Sequence, residues 1–171
     1  MNTPQQLDGT LYHPDFEQDS CGFGLMAQLD NHASHALVQT AISSLARLTH
    51  RGAVAADGKS GDGCGLLFKK PDAFLREVAK ECGFTLNAHY AAAIVFFDRD
   101  AQRAGQAKQI LNKALTAQGL PIAGYRQLPT NPDVCGEYAL ATLPHFEQIF
   151  VNCPPELNNA TFERRLYMAR R

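Results

Sequence analysis

The sequence has no strong charge of either sign. Its 171 residues carry 16 Lys and Arg against 17 Asp and Glu, a formal net charge of −1. Binding to nucleic acid or to an anionic membrane through bulk charge needs a basic excess, so neither partner is expected. The sequence also lacks a long apolar run. The longest, residues 91–97, has seven residues, against the ~20 needed to cross a bilayer. There is no secretory signal. Residues 1–20 hold no Lys or Arg and four acids (Asp8, Asp15, Glu17 and Asp19), and no apolar block follows Met1. The same acidity excludes a mitochondrial transit peptide. A cytoplasmic location is expected. None of the five cysteines sits in a Cys-x-x-Cys pair, so a zinc ribbon or thioredoxin-type motif is excluded. The odd count fits free thiols in a reducing compartment. Most of them are expected to be small buried apolar residues.

What is present is ordinary for a folded chain. The hydrophobic fraction is 45%, and the length fits a single domain of ~100–200 residues. Residues 1–20, punctuated by Pro4, Gly9 and Pro14, read as an irregular leader. The texture then changes. Cys21-Gly22-Phe23-Gly24-Leu25-Met26-Ala27-Gln28-Leu29 looks like a Gly-rich strand that another backbone approaches. Ser34 is an N-cap for a helix to about residue 49, with Leu37, Val38, Ala41, Ile42, Leu45 and Leu48 along one face. His50-Arg51-Gly52 follows, then a loop rich in Gly and Asp over 51–65, then a short strand at 64–69.

Pro71 and Gly83 bracket a further helix, with Phe74, Val78 and Cys82 on one face. Residues 91–97 read as a central strand. A helix from 101 to 118, capped by Asp98 or Asp100 and closed by Gly119, would turn Ala104, Ala107, Ile110, Leu111 and Ala114 inward. Strands are expected at 122–128 and 146–151, while 131–141 is ambiguous. A last helix starts near 159–161, with Phe162, Leu166 and Ala169 on one side. It has no Gly or Pro terminator, the pattern of a truncated chain.

Cys21 carries the most specific chemistry. If the bond before it is cut, one residue holds both a thiol and a free α-amine. An α-amine with pKa ~7.7–8.0 can take the thiol proton near neutral pH. Nucleophile and base then come from one residue, as with an N-terminal Thr and its own amine. Taken alone, a cysteine here is more simply a packing residue.

The neighbouring motifs change that balance. Cys21-Gly22-Phe23-Gly24, Leu48-Thr49-His50-Arg51-Gly52 and Asp57-Gly58-Lys59-Ser60-Gly61-Asp62-Gly63-Cys64-Gly65 together resemble the class II glutamine amidotransferases. More narrowly they are similar to the N-terminal glutaminase domains of glutamate synthase large chains, as is Pro144-His145-Phe146-Glu147-Gln148-Ile149-Phe150-Val151-Asn152. The resemblance implies an α+β fold, the N-terminal-nucleophile (Ntn) hydrolase four-layer αββα sandwich, present as its N-terminal portion. It implies a propeptide at 1–20 and an amidotransferase segment at 21–171. Cys21 would be the catalytic nucleophile, acting on glutamine to give glutamate and ammonia. Arg51 would support the active site, a role that suits its fixed fork of donors; the plainer reading is a surface Arg at a helix end. His50 is not needed as a base. Gly52, Gly61, Gly63 and Gly65 would serve turn geometry and close packing. No cofactor or metal is expected in this segment. FMN and an iron–sulfur cluster would belong to later domains, where ammonia meets 2-oxoglutarate, and a small subunit would be a partner of the full chain.

Three segments that hold substrate in the resembled family have no match here. These are an Arg before Ser-Thr, an Asn-Gly-Glu and a Ser-Asp. Loss of one oxyanion donor alone costs ~10²–10³ in rate, so the isolated chain is expected to be inactive. It is also expected to be poorly soluble, because apolar strands would lack partners. Two other readings stand beside this one. One is a different class II amidotransferase, although those begin with Cys directly after Met. The other is a catalytically dead interaction module, for which the net +3 over residues 161–171 could speak.

Overall fold

The computed structural model describes residues 22–171, apart from the side chain of Arg51. The chain divides into two compact units, Met1–Leu67 and Phe68–Arg171.

In the first unit the one α-helix among the described residues is α1, His35–Ala46. Ser34 caps it as the sequence predicts: its Oγ accepts from Leu37 N–H at 3.3 Å. A 3-10 turn, Arg47–Arg51, continues it. The apolar face of α1 is only half-covered. No residue of the helix is fully buried, and Ile42 is 44% exposed. The strands expected at 21–29 and 64–69 differ from the structure. Residues 22–28 and 62–69 have no regular structure, and Phe23, Leu25, Leu29 and Leu67 are exposed. A strand needs a neighbour for its backbone groups, and none pairs with these segments among the described residues.

The second unit is built on one antiparallel sheet. Its strands are β1 (Tyr90–Phe97), β2 (Ile122–Gln127) and β3 (His145–Asn152), in the order β1-β3-β2. Its helices are α2 (Asp72–Glu81), α3 (Ala101–Ala117), the short α4 (Glu137–Thr142) and α5 (Asn159–Arg170). The central strand is therefore β3, and the most apolar stretch, residues 91–97, lies at an edge. This is a correction to the sequence expectation, and its reason is visible in the packing. One face of the sheet lies under α3 and α5, where Leu115, Leu120, Ile149, Val151 and Phe162 are buried together. The other face lies partly under α2, where Leu75, Val78, Tyr90 and Phe150 pack. Beyond the reach of α2, Ile94 and Phe96 stay 53% and 66% exposed. An apolar run thus marked two apolar faces without fixing the strand's place in the sheet.

Local signals set the helix ends. Asp100 caps α3 through its carboxylate, which accepts from Arg103 N–H at 2.9 Å. Gly83 and Gly119 take φ of 76° and 67°. Those left-handed turns let Phe84 N–H reach Ala79 O at 2.7 Å and Leu120 N–H reach Leu115 O at 3.0 Å. Both are closures in which a residue past the glycine bonds back into the last turn. Leu115 and Leu120 then join the same core. Two predicted faces are rotated. Leu75, Val78 and Ala79 are buried on α2, while Phe74 and Cys82 are exposed. On α3, Ile110 is 68% exposed and Leu115 is buried. No helix among the described residues is long and apolar enough to cross a membrane.

Candidate functional site

The motif residues of the first unit lie on the turn after α1 and on the loop that follows. Within the turn His50 and Arg51 are adjacent. The His50 Nδ1 lies 3.0 Å from Arg47 O and donates to it. The ring therefore closes its own helical turn, which agrees with a structural role for His50. Arg51 ends the turn; its side chain lies outside the described residues. Cys21 also lies outside the described residues.

The loop has definite geometry. Val54 and Gly61 form an antiparallel bridge. Ala55 N–H donates to Ser60 O at 2.7 Å, and Gly58 N–H to Ala55 O at 2.9 Å. At the mouth, Asp62 N–H donates to Ala53 O at 3.3 Å, and Ala53 N–H to Asp62 Oδ2 at 3.2 Å. At the tip, Asp57 Oδ1 accepts from the N–H groups of Lys59 and Ser60 at 3.0 and 2.8 Å. Ser60 Oγ donates to Asp57 Oδ2 at 2.5 Å. Gly58 has φ of 69°, a conformation glycine adopts without strain. The loop is thus a tight hairpin tied by two carboxylates.

Its glycines are not equivalent. A Cβ on Gly61 would lie 2.5 Å from Ala53 O, so the strand crossing requires glycine there. A Cβ on Gly63 or Gly65 would meet nothing within 4 Å, and one on Gly52 only an ordinary contact at 3.7 Å. Close packing accounts for Gly61 and not for the other three. Asp57 and Asp62, both within the Asp57–Gly65 motif, organise the loop. The available signal was the Asp-Gly-x-Ser spacing of an Asx turn. Cys64 is exposed on the chain leaving the loop, as is Cys82 past the end of α2; Cys153 is buried. The expectation of buried thiols therefore holds for Cys153 alone among the described ones, Cys135 being half-buried.

The second unit offers a contrast. One of its titratable clusters is engaged among its own members. Lys108 Nζ lies 2.6 Å from Glu147 Oε2 and 4.0 Å from the centre of the Tyr125 ring. Tyr125 Oη donates to Asn112 Oδ1 at 2.6 Å. Burial, then the Glu147 carboxylate, pushes the Tyr125 hydroxyl up to about 12. These groups brace α3 against the sheet. A surface concavity of about 550 Å3 is lined by Asn87, Thr116, Pro121, Pro154 and Glu156 among others, with no cysteine or histidine in its lining. Among the described residues no group of three or more His, Cys, Asp or Glu converges as metal ligands would.

The family model for class II glutamine amidotransferases matches residues 21–171. The NADPH glutamate synthase large chain of Azospirillum brasilense is 38% identical over 99% of this chain. The corresponding chain of Bacillus subtilis (strain 168) is 34% identical over 94%. Ferredoxin-dependent glutamate synthase 1 of Arabidopsis thaliana is 34% identical over 91%. The chain spans only 11%, 11% and 10% of the length of these three relatives.

Proposed function

This chain belongs to the class II glutamine amidotransferase family, and we propose that it is the start of the glutaminase domain of a glutamate synthase large chain. The observation that carries this is the similarity over nearly the whole chain to glutamate synthase large chains, alongside a family match that begins at Cys21. On this reading residues 1–20 are removed and Cys21 becomes the first residue. Its α-amine takes the thiol proton. The thiolate adds to the side-chain amide carbon of glutamine. Collapse forms a thioester and expels ammonia, which leaves with the proton held by the amine. Water then attacks the thioester carbon, releasing glutamate and restoring the thiol.

Arg51 is placed by this reading near the nucleophile, where its charge would support the loops. The four-layer Ntn sandwich would complete the fold. The exposed Ile94 and Phe96 favour it, since a second sheet would cover them. Glutamine is the substrate. FMN and the iron–sulfur cluster belong to later domains of the long enzymes, with the small subunit as partner. The isolated 171-residue chain is inactive, because it lacks the segments that hold substrate carboxylate, amine and oxyanion.

Ammonia release from glutamine tests the assignment. The longer protein should release it, and Cys21→Ala should abolish it while leaving the fold intact. Release that survives Cys21→Ala would remove Cys21 from the mechanism. Steady release by the 171-residue chain alone would overturn its proposed inactivity.

A further inference from the structure

A charge stands at the margin of the sheet face that α2 leaves open. The register sets Ile94 against Gln148 and Gln148 against Arg126, so these side chains form one row across the sheet. The row shares its face with Phe150, two residues along β3, which packs under α2. On the other side of the row lie Phe96 and Phe146, with ring centres 5.1 Å apart. Arg126 is half-buried. Its Nε donates to Oε1 of the buried Gln148 at 2.9 Å, and its guanidinium lies 5.9 Å from the centre of the Phe74 ring. Its Nη groups make no bond among the described residues. Nor does Arg126 pair with a carboxylate there. Asp72 and Glu77 of α2 are taken by Arg76 and Lys80 at 2.8 and 3.3 Å. Glu147 is taken by Lys108 at 2.6 Å on the opposite face.

We propose that the second sheet of the longer protein brings an Asp or Glu side chain onto Arg126, where its carboxylate accepts from both Nη groups. This rests on the second sheet proposed above and adds what that sheet carries. Phe74, Ile94 and Phe96 are 57%, 53% and 66% exposed, and a sheet that covers them covers the guanidinium among them. A guanidinium taken from water with one amide oxygen for a partner is an uncompensated buried charge, which is strongly destabilising. A neutral acceptor from the second sheet would satisfy the donors and leave the charge. A carboxylate does both. Gln148 already occupies Nε, so the open side of the fork is the Nη pair, which meets a carboxylate end-on with two parallel charge-assisted bonds. The bond to Gln148 also holds the guanidinium in place before its partner arrives.

The test uses the longer protein. A carbodiimide joins an amine to a carboxylate in direct contact. In Arg126→Lys, peptide mapping should find the amine at position 126 joined to one Asp or Glu of the second sheet. Hydrogen exchange gives an independent reading. Arg126→Met keeps the stem and removes the charge, leaving the partner carboxylate buried and unpaired. Exchange at the β2 and β3 amides should then speed up by about a hundredfold, and Arg126→Lys should restore most of the protection. A side chain needed only for packing would be replaced better by Met than by Lys. Alkylation of Ile94→Cys separates the two possible failures. Slow alkylation, with no cross-link from position 126 and with Arg126→Met harmless, leaves the second sheet standing and overturns its acid. Alkylation as fast as in the denatured protein removes the second sheet and this proposal with it. Cross-links formed only between copies, identified by isotopic mixing, also overturn it.

Discussion

Replacing Gly61 by Ala should open the hairpin beside the motif residues, and replacing Gly63 should not. The Cβ built on Gly61 lies 2.5 Å from the Ala53 carbonyl oxygen. Ordinary carbon–oxygen contact needs about 3.3 Å, so the two strands must part by about 0.8 Å. The mouth bonds between Ala53 and Asp62 are already 3.2 and 3.3 Å. Parting by that much takes both beyond hydrogen-bonding reach. At ~0.5–1.5 kcal/mol net for each bond, the loss is ~1–3 kcal/mol, localised in the loop. Amide hydrogen exchange at Ala53, Ala55 and Asp62 reads this directly. Protection should fall about tenfold to a hundredfold in Gly61→Ala. Gly63→Ala should leave those amides within about twofold, because its Cβ meets nothing within 4 Å. Equal behaviour of the two variants would refute the steric argument. Under the proposed glutaminase function, Gly61→Ala should also lower ammonia release from glutamine more than Gly63→Ala does.

Gly124→Ala should destabilise the second unit by ~1–3 kcal/mol through overpacking, because its Cβ would lie 2.3 Å from the Phe84 ring; pairing it with Phe84→Leu should recover part of the loss in denaturant unfolding. Phe150→Ala should cost ~3–5 kcal/mol in the same assay, since Phe150 is fully buried between α2 and the sheet and packs against Phe84 with ring centres 5.9 Å apart. Tyr90 and Tyr125 should ionise late. Each hydroxyl is pushed from 10.0 to about 12, mainly by burial. The folded state then holds these protons more tightly than the unfolded one, so stability is unaffected below about pH 10 and falls as pH rises toward 12. With no Trp in the chain, tyrosinate absorbance should resolve this late ionisation from that of the exposed tyrosines.

The helices were legible because their signals are local. Ser34 and Asp100 as caps and Gly83 and Gly119 as terminators each act within a turn, and all four do so in the structure. The sheet was legible only as separate strands. The place of β1 at the edge and of β3 at the centre depends on pairings about 50 residues apart, which periodicity within a strand does not encode. The rotated face of α2 has a similar origin. Phe74 shares the spacing of Val78, yet what buries a residue is the position of Tyr90 and Phe150 on the sheet. The segments 22–28 and 64–69 show the converse: β-like patterning forms no strand where no partner is paired with it. At the motif loop, glycine and aspartate content announced a turn. Only coordinates separate Gly61, pressed against a carbonyl, from Gly63, which stands in open space.

On the proposed function, Cys21 is the residue that begins the working chain. Intact mass and N-terminal sequencing of the protein purified from cells, from wild type and from Cys21→Ala, address it most directly. A glutaminase that uses Cys21 as nucleophile and base begins with Cys-Gly-Phe-Gly and lacks residues 1–20. A wild-type protein that keeps those residues and still releases ammonia from glutamine would contradict it, because no free amine would then stand beside the thiol.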